Sequence, residues 1–185
     1  MINKKYADIH AAVANVPGLK DGATILCGGF GGAGVPHDLI KAVLDLKLRD
    51  LTLVSNNAGS TDIDIAILLE AGCVRKMVCS FPRASGSTIF ADLYAAGKVE
   101  LEVVPQGTLA ERIRAGGAGV PAFYTATAYG TPLAEGKETR EFNGRQYVME
   151  EAIRGDVALI HAREGDRWGN LTYPMTSRNF GPVMA

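Results

Sequence analysis

The chain has 185 residues, a formal charge of −1, 47% hydrophobic residues, 22 glycines, 3 cysteines and 3 histidines. Balanced charge without a basic stripe excludes a nucleic-acid surface, and no apolar run approaches the length of a membrane span. Cys27, Cys73 and Cys79 have neither pairing nor metal-ligand spacing; they read as small apolar residues of a reduced, cytoplasmic protein with no metal.

In chain order, residues 6–16 read as a helix with Ile9, Ala12, Val13 and Val16 on one face. Asp21-Gly22 turns the chain into residues 23–27, a short apolar run of the kind a buried parallel strand shows. Gly28-Gly29-Phe30-Gly31-Gly32-Ala33-Gly34 follows, and Pro36 opens a helix carrying Leu39, Ile40, Val43 and Leu44. Residues 51–55 form a second strand, with Asn56-Asn57-Ala58-Gly59 leaving its carboxyl end. A helix over 63–69 stops at Gly72, and a third strand over 74–80 runs into Phe81-Pro82-Arg83. A helix over 88–96, a strand over 99–104, the turn Pro105-Gln106-Gly107 and a helix over 108–114 come next. Gly116-Gly117-Ala118-Gly119 then opens a stretch without clear period until Thr139. Residues 139–148 read as a hairpin about an Asn143-Gly144 type I′ turn. Residues 156–161 form an apolar strand, and 166–170 a turn before Leu171-Thr172-Tyr173.

Strand, loop and helix alternate at least four times, which predicts an α/β fold. The expected form is a doubly wound, mostly parallel sheet with helices on both faces and a C-terminal β-hairpin region. No repeat or linker divides the chain, so residues 1–185 are read as one domain. Ligands of such sheets bind beyond the carboxyl ends of the strands, where loops 28–34, 55–59, 80–86 and 105–107 gather. Five glycines within residues 28–34 let backbone amides approach an anion at a helix start, so a phosphate-bearing, nucleotide-like ligand is the natural guest. The plainer alternative is a tight turn with no ligand. Residues 29–34 formally match G-x-G-x-x-G. An NAD(P) site needs an acid after the second strand, yet none stands before Asp62, and Pro36 starts the helix after the third glycine. Asn56, Asn57 and Gln106 are neutral amides that can hold a carboxylate or oxyanion, or else make Asx turns and surface contacts. His10, His37 and His161 show no ligand spacing, with His37 reading as an exposed first-turn residue. No glutamate stands in a glycine- or asparagine-rich loop. The residues describe a binding protein without a complete catalytic constellation.

Asp21-Gly22-x-x-Ile25-Leu26-Cys27-Gly28-Gly29-Phe30-x-x-x-Gly34-x-Pro36 resembles the signature of the first subunit of 3-oxoacid coenzyme A-transferases, with Cys27 where an aliphatic residue is usual. Residues 55–59, 104–119, 135–141 and 177–180 are similar to the same subunit. The resemblance implies a catalytic glutamate on a second subunit, in a Ser-Glu-Asn-Gly loop absent here, within an α2β2 heterotetramer. It implies a coenzyme A thioester as substrate, no tightly bound cofactor, and no catalytic residue in this chain. It further implies that Gly28, Gly29, Phe30, Gly31, Gly32, Ala33 and Gly34 meet coenzyme A, while Asn56, Asn57 and Gln106 place the substrate carboxylate. Residues 79–83 and 165–173 are more similar to the 3-oxoadipate enzymes, so the implied reaction carries coenzyme A from succinyl-CoA to 3-oxoadipate. Arg83 is then the cation for the acceptor's second carboxylate. An acetoacetate-type transferase and, from another class, a sugar-phosphate or nucleotide sensor stand as alternatives. Ala126 and Ala128 replace the usual Pro and Gly, Pro174 replaces a common basic residue, and the sequence stops at Ala185, short of where such subunits usually end.

Overall fold

The computed structural model describes residues 2–60, 63–83 and 86–185. Asp62 and the middle of loop 80–86 lie outside the described residues. A parallel sheet forms the centre, built from β1 (Thr24–Cys27), β2 (Leu51–Asn57), β3 (Val74–Phe81), β4 (Glu100–Val103) and β8 (Val157–Leu159) in the order β4-β3-β2-β1-β8. The inner strand β1 and Met77-Val78-Cys79 of β3 read as apolar runs because both of their faces are covered, whereas the edge strand β4 carries Glu100 and Glu102. Ile25, Cys27, Leu53, Met77, Cys79 and Leu159 pack on one side against helices α1 (Ile9–Ala14), α2 (His37–Asp45), α3 (Ala66–Glu70) and α4 (Ile89–Ala95). The alternate residues Leu26, Val54 and Val78 pack on the other side with Leu109 and Ile113 of α5 (Gln106–Ala118) and with Phe180 and Met184 around α6 (Gly181–Met184). The two-residue period of a strand divides one sequence between two cores.

From β1 to β4 each crossover moves the chain one place in the same direction, with α2, α3 and α4 on the first face. The return carries α5 over the second face and sets β8 against the free side of β1. One crossover hand demands that change of face. Progression therefore reverses between β1 and β8, and a crevice at their carboxyl ends is where open α/β sheets take ligands.

Two expectations need correction. Gln106 is the first residue of α5 rather than part of a loop, and the helix continues through Gly116 and Gly117 to Ala118. A side chain at Gly116 would overlap the Ile153 carbonyl, so this glycine brings the helix close to the following chain. Gly119, at φ 73°, ends it in the left-handed conformation. The stretch without visible period also holds a strand, β5 (Ala122–Thr125), in a three-stranded antiparallel sheet β5-β7-β6 with β6 (Thr139–Phe142) and β7 (Arg145–Glu151). Asn143 and Gly144 link β6 to β7 at φ 51° and 75°, the two positive values of a type I′ turn.

Charged side chains join the small sheet to the large one. Glu102 on β4 accepts from Lys76 Nζ at 2.6 Å and from Arg112 of α5 at 2.7 Å. Arg112 also stands 3.8 Å from the buried Glu150 of β7, which Lys137 Nζ meets at 2.6 Å. Beyond β8, β9 (Glu164–Gly165) and β10 (Leu171–Thr172) pair about the turn at Asp166 to Asn170, and a 3-10 turn, Met175–Arg178, leads to α6.

Candidate functional site

The glycine loop closes on itself. Phe30 N–H donates to Ala33 O at 3.0 Å and Ala33 N–H returns to Phe30 O at 3.1 Å, leaving Gly31 and Gly32 at the tip. Gly28 N–H ties its base to Leu159 O of β8 at 3.0 Å, and Asn179 Nδ2 donates to Ala33 O at 3.0 Å. The glycines serve different ends. A Cβ at Gly29 would stand 2.7 Å from Val35 Cγ2, and one at Gly34 would stand 2.7 Å from Ser177 O. At Gly31 and Gly32 it would meet nothing within 4 Å. Packing requires the first pair, whereas the tip is open to a ligand.

Asn56 and Asn57 lie on β2 rather than beyond it, so they point to opposite faces. Asn57 Oδ1 accepts from Gly59 N–H at 2.9 Å, and the residue lines a small cavity under the glycine loop with Gly29, Gly31, Ser55 and Asp64. Asn56 is 4% exposed on the α5 side. Its Oδ1 accepts from Gln106 Nε2 at 2.7 Å and from Ser80 Oγ at 2.9 Å. With two donors on the oxygen, the Nδ2 group has no partner among the described residues and is free to donate. The amides therefore form two groups, Asn56 with Gln106 and Asn57 with the loop. Arg83 joins neither; it is exposed past the end of β3 and makes no ion pair among the described residues.

Sequence reasoning passed over Ser80 and Asp64. Asp64 is 8% exposed; its Oδ2 accepts from Ser60 N–H at 2.8 Å and its Oδ1 from Ala66 N–H at 2.9 Å. Its position two residues before α3 is the available signal, since aspartate satisfies amides at a helix start. Burial, aided by the charge of Asp64, pushes the Cys27 thiol up to about 12. Burial also pushes Cys79 up to about 12, against a lowering hydrogen bond from the Phe81 backbone. Both thiols stay protonated near neutral pH and are poor nucleophiles. His37 is not simply exposed: it is half-buried and its Nδ1 lies 2.7 Å from Ile63 O, which ties the start of α2 to the chain ahead of α3.

Among the described residues, no three His, Cys, Asp or Glu side chains gather to hold a metal ion. No helix there is long and apolar enough to cross a membrane. The family model for coenzyme A transferase matches residues 7–185. The first subunit of the 3-oxoadipate CoA-transferase of Pseudomonas putida is 60% identical over the whole chain, which spans 79% of that protein. The corresponding subunit of the succinyl-CoA:3-ketoacid coenzyme A transferase of Xanthomonas campestris is 52% identical over 98% of the chain, which spans 74% of that relative. The crystal structure of glutaconate coenzyme A-transferase from Acidaminococcus fermentans superposes with a TM-score of 0.81 at 20% identity, covering 95% of this chain and 61% of that one. That likeness shows the fold. The family match and the two sequence identities go further, and by them this chain belongs to the coenzyme A transferase family.

Proposed function

We propose that this chain is the first subunit of a two-subunit enzyme that moves coenzyme A from succinyl-CoA to a 3-oxoacid, with 3-oxoadipate as acceptor. The observation that carries this reading is 60% identity over all 185 residues with the first subunit of a 3-oxoadipate CoA-transferase. In it residues 1–185 act as one domain, a second subunit supplies the nucleophilic glutamate, and two copies of each make an α2β2 assembly in the cytoplasm. Coenzyme A arrives as the thioester substrate and no cofactor is tightly bound.

The site supports the division of labour. Asp64 is engaged by two backbone amides, and neither the loop cavity nor the Asn56 cluster holds a glutamate among the described residues. Large apolar side chains stand exposed on the loops and element ends here: Phe30 at 49%, Ile63 at 42%, Phe81, the last residue of β3, at 59%, and Met175, the first of the 3-10 turn, at 93%. A surface of that kind suits a protein partner.

The partner's carboxylate attacks the thioester carbonyl of succinyl-CoA, the coenzyme A thiolate leaves, and a mixed anhydride forms. The thiolate then attacks the glutamyl carbonyl, releasing succinate and leaving a glutamyl-CoA thioester. The acceptor carboxylate regenerates the enzyme by the reverse steps. Each addition places negative charge on a carbonyl oxygen, and Asn56 Nδ2 is the uncommitted, oriented donor for such an oxygen. The open tip at Gly31 and Gly32 lets backbone approach the coenzyme A thioester closely.

The test is reconstitution. The purified chain alone is expected to show no transfer between succinyl-CoA and 3-oxoadipate. Mixed with its second subunit it should turn over with parallel double-reciprocal lines. Robust turnover by the single chain would overturn the reading.

A further inference from the structure

Ser80, at the carboxyl end of β3, belongs to none of the residue sets assigned so far. Its half-buried Oγ lies 2.9 Å from Asn56 Oδ1 and 3.0 Å from Asn56 O on the neighbouring strand, so its single proton is shared between these two acceptors of one residue, Oδ1 being the nearer. Both contacts cross between paired strands whose register holds Ser55 opposite Cys79 and Asn57 opposite Phe81, so Ser80 faces Asn56 on a fixed ladder. The third member, Gln106, reaches the same oxygen at 2.7 Å from the first turn of α5. A carboxamide has one acceptor oxygen and one two-proton donor. A single contact from Gln106, carried on its own rotatable side chain, would leave the amide of Asn56 free to turn. A second donor from the rigid strand removes that freedom and commits the oxygen inward.

We infer that Ser80 is a positioning residue, whose hydroxyl fixes the Asn56 carboxamide with its NH2 presented to the reacting carbonyl or carboxylate oxygen. The inference rests on the proposed transferase reading. Ser80 touches no substrate in this role and acts through Asn56. Donors aimed in advance are the ones that stabilise developing charge without reorganisation, and small misplacements of such groups are costly in rate.

The experiment uses the reconstituted two-subunit enzyme. Ser80→Ala is expected to lower kcat about tenfold while the KM for succinyl-CoA stays within about twofold, the pattern of an interaction made in the transition state. On an Asn56→Ala background, Ser80→Ala should cause no further loss, because the group it orients is gone. Ser80→Thr, which keeps the hydroxyl, should recover most of the rate. Equal losses on both backgrounds, or a wild-type kcat for Ser80→Ala, overturn the inference. A readout free of turnover separates this from failure of the transferase reading. In the isolated chain, the Asn56 side-chain NH2 resonances, identified by their disappearance in Asn56→Ala, should move in Ser80→Ala. Unmoved resonances would refute the positioning role even in an active enzyme.

Discussion

Gly32 and Gly34 stand two residues apart and should respond to the same substitution in opposite ways. A methyl group at Gly32 meets nothing within 4 Å, so Gly32→Ala should fold normally and raise the KM for coenzyme A thioesters. At Gly34, φ is 71° and the new Cβ would press on Ser177 O at 2.7 Å. Gly34→Ala should therefore lose about 1–3 kcal/mol of stability, read from denaturant unfolding. If Gly32→Ala leaves the kinetics untouched, the tip of the loop is not where the thioester sits. Arg83 has a narrower test. A guanidinium can grip a second carboxylate through two parallel hydrogen bonds, so Arg83→Ala should depress kcat/KM for 3-oxoadipate and spare acetoacetate. Equal losses on both acids would assign Arg83 to coenzyme A or to structure. The sequence named Asn56, Asn57 and Gln106 as a single group because residues 56–59 read as a loop. Extending β2 by two residues sends the neighbouring amides to opposite faces, a consequence of strand geometry that residue identity alone does not carry.

The charged link between the two sheets sets the stability of its elements. Burial raises the Glu102 carboxyl, but the hydrogen bonds and charges of Lys76 and Arg112 outweigh it and leave its pKa below the ordinary 4.5. A folded-state value below the unfolded one contributes stability above the unfolded pKa, and that contribution fades as pH falls through the folded value. The melting-temperature gap between wild type and Glu102→Gln should thus be largest near neutral pH and shrink as the pH falls below the ordinary carboxylate range. A gap that widens on acidification would contradict the assigned pairing. Arg112→Met removes a partner from both Glu102 and the 2%-exposed Glu150, and should cost on the order of 3 kcal/mol in chemical unfolding. Strands β1 to β3 were legible because burial on both faces leaves apolar stretches such as Ile25-Leu26-Cys27, Leu53-Val54 and Met77-Val78-Cys79. The end of α5 was hidden, since Gly116 and Gly117 argue against a helix by propensity and only the approach of Ile153 explains the first of them. In β5 all four residues are half-buried, which leaves no alternation for the sequence to display.

For the whole molecule, the alternation of strand and helix was enough to give the parallel sheet with helices on both faces. The position of β8 was not legible, because pairing partners far apart in sequence leave no local pattern. That separation bears on how the protein is made. Thr24 N–H donates to the Asp156 carboxylate 132 residues away, and Ala33 O accepts from Asn179, 146 residues away. A ribosome emits β1 through β4 in sequence, each able to pair with its predecessor, while contacts of long sequence separation form late. Until residues 156–159 emerge, β1 is an open sheet edge, the kind of surface that recruits stray strands. The glycine loop, though translated early, waits for the end of the chain to hold it. Pulse-labelled hydrogen exchange during refolding should accordingly protect amides of β2 and β3 before those of Gly28 and Ala33, so that the nascent chain gains its sheet first and its glycine loop last.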